Sequence, residues 1–215
     1  MKRSIPILSL ISATSIFILA CVSLTIPNLA TATPQTIITV PPMPSFESPA
    51  QPTNSGLENE NLLTTIPLGF KIDYTKKQDN FIITEMVSDG ESVNDWSTMI
   101  TVEIFLGEKN TTPQQYEDTL IKRWFNACEN SETYPVADGA ENGYNFVLWQ
   151  LYCPLNSATQ KVEYTYLKAI QGKDSLYLVQ VAFRHEPSDD EIKQWVGYLK
   201  KIQVCDSRIA EQACP

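Results

Sequence analysis

The stretch Tyr144–Pro154 reads Tyr-Asn-Phe-Val-Leu-Trp-Gln-Leu-Tyr-Cys-Pro and decides how the rest of the chain is interpreted. Its residues are apolar on both of the alternating faces that a β-strand presents: Phe146 and Leu148 point to one side, Trp149 and Cys153 to the other. Strands of this kind are usually covered on both faces. We therefore predict that this stretch is the central strand of the domain.

Alternating and apolar segments on both sides of that stretch predict further strands. Val162–Ile170 and Ser175–Arg184 follow it, separated by a tight turn, so the three segments predict an antiparallel meander. A long connection before it, Glu129–Asn142, holds a short strand at Tyr134–Ala137. Three more strands are predicted upstream, the first two of them as a hairpin: Leu68–Tyr74, Phe81–Val87 and Thr98–Leu106.

Two helices are predicted from capping residues and helical periodicity. Thr112 and Gln115 form a capping box before the first helix, whose apolar half includes Cys128. Ser188 and Glu191 do the same for the second helix, Pro187–Ile202, which carries one apolar stripe. We therefore predict an α+β fold, an antiparallel β-sheet of about six to seven strands with two amphipathic helices packed on it.

The N-terminal residues predict a targeting segment. Met1-Lys2-Arg3 is followed by an apolar run and by Ala30-Thr31-Ala32, which fits a secretory signal over residues 1–32 cleaved after Ala32. Two alternatives stay open. Ile18-Leu19-Ala20-Cys21 is similar to a bacterial lipobox, with Cys21 as the lipidated residue, and an uncleaved segment is long enough to anchor the chain in a bilayer.

A Pro-rich segment separates the targeting segment from the folded part. Residues 33–61 contain six prolines among many Ser, Thr and Asn residues, a composition typical of an extended, disordered tether. The remaining residues, 62–215, suffice for a single domain with its own core.

The charge balance excludes one class of partner. Lys2 and Arg3 account for two of the 16 basic residues, so the remaining 14 face 25 acidic residues and the net charge is −11. An acidic surface repels phosphate backbones. We expect no nucleic-acid binding, and contact with a membrane only through a lipid or an N-terminal anchor.

Four cysteines remain beyond the targeting segment: Cys128, Cys153, Cys205 and Cys214. An even number in an exported chain predicts two disulfides. Of the three possible pairings we favour Cys128–Cys153, which joins the first helix to the apolar strand, and Cys205–Cys214, which closes a small C-terminal loop. Neither the cysteine spacing nor the single histidine is typical of a zinc site, and we expect no metal or cofactor.

Residues able to carry out catalysis are few, and the chain has no GxSxG, HExxH, phosphate-loop or dinucleotide-binding motif. The only histidine, His185, ends a predicted strand beside Glu186, and we interpret it as a surface residue. Glu85 and Glu103 would form a carboxylate pair if their strands were neighbours, and such pairs perform acid–base chemistry in glycosidases. The alternative is that Glu103 is an acid on a solvated face or forms a salt bridge with Lys168.

A candidate binding face follows from polar and aromatic residues in the meander. Aromatic residues with polar tips are favoured at binding surfaces, although they are also ordinary strand residues. The predicted face consists of Gln150, Tyr152, Tyr164, Tyr166, Lys168 and Gln180.

Two resemblances add to this interpretation. The order of strands and helices, with a leading Ile-Pro-Leu-Gly-Phe at Ile66–Phe70 and a closing amphipathic helix, looks like the sandwich of the PsbP-like group over Leu62–Val204. That resemblance implies an exported or lumenal domain that binds or assists assembly without catalytic residues. The stretches Asn142–Tyr144, Cys153–Leu155 and Lys168–Gly172 are similar to small exported bacterial proteins of unknown function.

From the sequence we predict a non-enzymatic exported domain, periplasmic or extracellular, that binds a protein partner or a small-molecule ligand. A small hydrolase that uses Glu85 and Glu103 is one alternative. An inhibitor or immunity-type protein, for which an acidic surface and disulfides would be useful, is another.

Overall fold

A computed structural model describes residues 57–215. The predicted signal segment, Cys21 and the tether up to residue 56 lie outside the described residues. In chain order the elements are β1 (Glu60–Leu63), β2 (Phe70–Gln78), β3 (Phe81–Ser88), β4 (Thr98–Leu106), α1 (Pro113–Ala127), β5 (Glu132–Glu141), β6 (Tyr144–Cys153), β7 (Glu163–Gln171), β8 (Ser175–Phe183), α2 (Asp189–Lys201), β9 (Gln203–Asp206) and a short 3₁₀ helix (Ala210–Gln212).

Seven of the strands form one antiparallel sheet, in the order β2-β3-β4-β8-β7-β6-β5, and the predicted α+β class is confirmed. The central strand is β8, which pairs with β4 on one side and β7 on the other. The prediction that Tyr144–Cys153 is central was wrong, because this strand lies next to the β5 edge. Apolar residues on both faces of a strand indicate that other elements pack on both faces. Such packing does not require the strand to lie at the centre of the sheet.

The edge strand β5 is longer than predicted. It runs over Glu132–Glu141, with a register irregularity between Pro135 and Ala137. Its residues are mostly exposed. The sequence of β5 therefore lacks the apolar alternation from which a half-buried strand is predicted. Proline and an irregular register are typical of an edge strand, where they hinder pairing with another chain.

Both helices begin at the predicted capping boxes. The Thr112 hydroxyl accepts a hydrogen bond from the Gln115 backbone N–H, and the Gln115 side chain accepts one from the Thr112 N–H. Ser188 and Glu191 make the equivalent pair of contacts at α2. These contacts satisfy N–H groups that lack a partner inside the helix.

The two helices cover opposite faces of the sheet, which we call the α1 face and the α2 face. On β6, Trp149 and Leu151 are buried in the cluster that Leu120 and Trp124 of α1 pack against. The even-numbered residues, such as Leu148, lie in the larger cluster that contains Trp195, Leu199 and Ile202 of α2 and its C-terminal cap. The two faces of this strand therefore contact different helices.

Both predicted cysteine pairs are disulfides in the structure. Cys128 and Cys153 join the end of α1 to the end of β6, with Cα atoms 5.9 Å apart. Cys205 and Cys214 join β9 to the C-terminal tail, with Cα atoms 4.9 Å apart. Disulfides are typical of proteins in oxidising compartments.

A small two-stranded sheet forms beside the main one, where β1 pairs with β9. Its inward residues Leu62 and Val204 join the core on the α2 face. Glu60 and Asn61, assigned to the tether from the sequence, belong to β1. The folded unit therefore includes residues on the N-terminal side of position 62.

Candidate functional site

Most of the predicted binding face shares one face of the sheet. The register pairs Gln150 with Tyr166 and Tyr152 with Tyr164, and it places Lys168 beside Leu148. Gln180 pairs with Leu167 and Thr101, so it lies on the opposite face. The grouping of Gln180 with the other residues was wrong, because side chains alternate between faces and a strand's register is not visible in the sequence.

One of these side chains, Lys168, is occupied by contacts within the domain. The Lys168 ammonium is fully buried, donates hydrogen bonds to the Glu141 carboxylate and the Ile202 carbonyl oxygen, and lies 4.6 Å from the centre of the Phe146 ring. Burial lowers the pKa of Lys168, and Glu141 opposes that change. Lys168 thus pairs with Glu141, and the alternative of a salt bridge to Glu103 is wrong because Glu103 lies on the other face.

The tyrosines of the predicted face stack on neighbouring rings. Tyr152 and Tyr164 lie side by side with ring centres 4.7 Å apart. Tyr166 is buried and meets Phe183 edge to face. A binding role for this face stays a prediction.

An apolar groove that the sequence did not reveal lies on the α2 face of strands β2 to β4. Its volume is about 520 Å³, within the range of ligand pockets. The segment Asn59–Ile66 forms one wall, and the floor is made of side chains from the sheet. The floor residues are Ile72, Thr84, Met86, Val102, Ile104, Leu106 and Tyr177.

Glu60 fixes the wall of the groove to the sheet. Its carboxylate accepts hydrogen bonds from the backbone N–H groups of Lys173, Asp174 and Ser175, at 2.5 to 3.2 Å. It also accepts one from the Tyr177 hydroxyl at 3.0 Å. The carboxylate thereby binds the turn between β7 and β8, and burial raises the pKa of the tyrosine.

The other end of the wall is held by α2. The Tyr198 hydroxyl lies 2.9 Å from the Thr65 carbonyl oxygen and donates a hydrogen bond to it. Two apolar residues that line the groove are about half exposed, Ile66 at 53% and Ile72 at 51%, and Leu68, two residues beyond Ile66, is fully exposed. Contiguous exposed apolar residues at a groove are a common mark of a binding site.

An ion-pair network adjoins the groove at Asp174, which is one of its lining residues. Arg208 contacts both carboxylate oxygens of buried Asp206 and also Asp174, and Lys109 contacts Asp174. The Arg208 guanidinium lowers the pKa values of both aspartates. These charges are paired with one another, and the floor of the groove is mostly apolar.

Glu85 and Glu103 lie on the other side of the same strands. Strands β3 and β4 are neighbours, and Glu85 pairs with Thr101 while Glu103 pairs with Ile83, so both carboxylates are on the α1 face. The Tyr116 hydroxyl donates to Glu103 at 3.4 Å. The condition for a carboxylate pair, two neighbouring strands and one face, is therefore met.

The environment shifts the ionisation of both acids. Burial raises the pKa of Glu103 to about 7, the hydrogen bond from Tyr116 opposes this, and the nearby Glu85 charge adds to it. Burial also raises the pKa of Glu85. Thr101, between them in the sheet, is buried and accepts a hydrogen bond from Gln180 at 3.4 Å.

His185 contacts the start of α2. Its Nε2 atom lies 3.1 Å from a Glu191 carboxylate oxygen, and its ring meets Phe183 edge to face. Glu191 completes the capping box of α2. Every contact described for His185 therefore serves the packing of β8 and α2.

Residues 57–215 contain neither a side-chain cluster typical of a metal site nor a helix typical of a membrane span. Within that range no three His, Cys, Asp or Glu side chains are grouped so that they could hold a metal ion. In the same residues, neither helix has both the length and the apolar character needed to cross a membrane.

The fold and the groove define a small disulfide-containing α+β domain with an open apolar groove. The chain belongs to an uncharacterised protein family, whose model matches residues 69–210. A search of curated proteins found no match.

Solved structures with a related course of the chain include two of Mog1. A point mutant of protein Mog1 is 12% identical, with 64% of this chain and 78% of that chain covered and a TM-score of 0.39. The Saccharomyces cerevisiae Ran-binding protein Mog1p is 11% identical, with 66% and 85% covered and a TM-score of 0.37. Similarities of this size carry no argument about function.

Proposed function

We propose that this chain is an exported, non-catalytic domain that binds an apolar segment of a protein partner in the groove between Asn59–Ile66 and strands β2 to β4. The observation that carries the proposal is the groove itself, about 520 Å³ with a mostly apolar floor. Burial of apolar surface contributes about 25 cal/mol per Å². An aliphatic or aromatic side chain is therefore the favoured occupant.

The hydrogen bonds that hold the wall favour a groove that is already formed before the partner inserts into it. Glu60 holds one end of the wall through backbone N–H groups, and Tyr198 holds the other end. A preformed groove costs less conformational entropy on binding than one that must be ordered. The half-exposed side chains Ile66 and Ile72, which line the groove, supply further contact area for a protein surface.

Export is supported by features at both ends of the chain. The N-terminal residues fit a secretory signal, with Cys21 lipidation or an uncleaved anchor as alternatives, and the folded part contains two disulfides. We propose the PsbP-like resemblance as further support, since those domains mostly bind or assist assembly.

Site-specific photo-crosslinking in cells that export the chain tests the proposal. A photoreactive residue at Ile72, which lines the groove and is half exposed, should give one discrete adduct. The same residue at Asp118, exposed on α1, should give none. Thr84→Trp, which fills the groove from its floor, should abolish the Ile72 adduct while the circular dichroism spectrum stays unchanged. An adduct that survives Thr84→Trp would show that the groove is not the binding site.

The hydrolase alternative is favoured by one observation, the position of Glu85 and Glu103 on one face of neighbouring strands. Chromogenic glycosides and esters provide the test, with Glu103→Gln as the matched control. Our proposal expects no turnover by the wild-type protein. Turnover that disappears in Glu103→Gln would replace binding with catalysis as the function.

A further inference from the structure

The helix α1 is held on the sheet by different kinds of contact at its two ends. Its C-terminal end is covalently fixed through the Cys128–Cys153 disulfide. Near its N-terminal end, Tyr116 reaches strand β4, where its hydroxyl donates to Glu103 and its ring lies 5.6 Å from that of Phe105. Only the second kind of contact includes a group that gains or loses a proton near neutral pH.

The groups around Glu103 come from each element packed against it. Strand β3 contributes Glu85, and β2 contributes Lys76, which lies in the same row as Glu103 beyond Ile83. The facing residue of β8 is the apolar Leu178.

From α1, Tyr116 contacts Glu103 directly, and Arg123 acts on Tyr116 through its charge. No salt bridge in the described part of the chain neutralises Glu103. Its negative charge would therefore be placed in a largely apolar site beside a second carboxylate.

We propose that Glu103, together with Glu85 and Tyr116, is a pH-sensitive contact that holds the N-terminal half of α1 on the sheet when Glu103 is protonated and loosens it when Glu103 is ionised. A neutral carboxyl group accepts the Tyr116 hydrogen bond without a buried charge. The ionised carboxylate gains free energy when water reaches it, and water enters if this end of the helix lifts. The disulfide keeps the other end in place at either pH.

The direction in which pH loosens α1 follows from the direction in which the Glu103 pKa is shifted. The Glu103 pKa is raised from 4.5 to about 7 in the folded domain. A carboxyl group whose pKa is raised in the folded domain stabilises the closed form at pH values below its pKa in the unfolded chain. This stabilisation is lost as the pH rises through its pKa in the folded domain. Loosening should therefore occur as the pH passes through about 7.

Amide hydrogen exchange of residues 116–121 in the disulfide-intact protein, corrected for the intrinsic effect of pH, tests the proposal. We expect protection to fall by about tenfold or more between pH 5.5 and pH 8.5, as one pKa unit of coupling would give. Residues 124–127, next to the disulfide, should keep their protection. A wild-type helix with the same corrected protection at both pH values would overturn the proposal.

Four substitutions give distinct expectations for the midpoint of this change. Glu103→Gln should abolish the pH dependence, Glu85→Gln should move the midpoint to lower pH, and Tyr116→Phe should move it to higher pH. Asp118→Asn removes the same charge from an exposed position on α1 and should leave the midpoint unchanged.

The carboxyl carbon resonance of Glu103, followed by nuclear magnetic resonance, should titrate at the same midpoint in each variant that retains it. The mechanism would be contradicted if Glu85→Gln and Tyr116→Phe moved the midpoint in the same direction. It would also be contradicted by an Asp118→Asn protein that lost its pH dependence.

Discussion

Strands β3 and β4 present two different chemistries on their two faces. On the α2 face, Met86 and Ile104 belong to the floor of the apolar groove. On the α1 face, Glu85 and Glu103 form a carboxylate pair beside Tyr116. These residues are immediate neighbours in sequence, so a shift of one residue in register would exchange the groove for the carboxylates.

The comparison shows how the two faces of one sheet can separate the proposed binding groove from the proposed pH-sensitive contact. The groove is bounded by the segment Asn59–Ile66. This segment is held by the hydrogen bonds that its Glu60 carboxylate accepts and by the one that Tyr198 donates to it. The carboxylate pair is bounded by a helix whose far end is covalently attached. Variants that affect one face should therefore leave the other face intact, and the following predictions test this independence.

Removal of the Cys128–Cys153 disulfide should have the largest effect. The bond closes a loop with a sequence separation of 25 residues, and such a loop contributes about 3 to 4 kcal/mol in the chain-entropy model. We expect the double substitution to serine to lower the free energy of unfolding by this amount in chemical denaturation. Binding of a neutral apolar dye in the groove should persist in the folded double variant, and loss of dye binding would show that the two faces are coupled.

Glu60→Ala should have the next largest effect, with its consequences confined to the groove. It leaves three backbone N–H groups and the Tyr177 hydroxyl without their carboxylate partner, and hydrogen bonds to a charged group contribute about 1.5 to 3 kcal/mol. We expect a loss of about 2 to 3 kcal/mol in the free energy of unfolding, together with weaker dye binding. Glu58→Ala, an exposed acid two residues away, should change neither quantity.

Glu103→Gln should stabilise the domain, but only at high pH. Ionisation of Glu103 costs stability as pH rises through about 7, because its pKa in the folded domain lies above the 4.5 of an exposed carboxyl group. We expect a gain of about 2 kcal/mol at pH 8.5 and none at pH 4, from denaturation curves at both values. A gain of equal size at both pH values would indicate a packing effect instead of a charge effect.

Gly172→Ala should have the smallest effect. A Cβ atom at this position would lie 2.2 Å from a carboxylate oxygen of Glu60, so the groove wall would have to move, at a cost of about 1 kcal/mol. The same substitution in a Glu60→Ala background should cost almost nothing. A double-mutant cycle measures the difference, and an unchanged cost in that background would show that Glu60 is not the group displaced.

Residues that carried local signals were predicted well. Thr98–Leu106 alternates and is a strand with those bounds, and Thr112 and Ser188 begin helices because capping depends on residues three positions apart. The apolar half of the first helix placed Cys128 toward the sheet, which led to the favoured pairing with Cys153.

Residues whose role depends on distant partners were not predicted. Gln180 was grouped with Gln150, yet the register of β7 with β8 places it on the other face. Glu60 was assigned to a tether, because nothing near it in sequence marks its contact with the turn at Lys173–Ser175, more than 110 residues away. The groove was missed for the same reason, since its wall and its floor come from separate segments.

The sequence by itself determined the number and kind of most elements, the alternation of side chains along most strands, the acidic charge and the set of cysteines. Each of these depends on composition or on spacings of two to four residues, which the backbone geometry converts directly into structure. Only the tertiary structure decided that β8 is central, that Glu60 holds the wall of a groove and that Glu85 and Glu103 lie on one face of neighbouring strands. These features depend on strand order and register, which are set by the packing of the whole core.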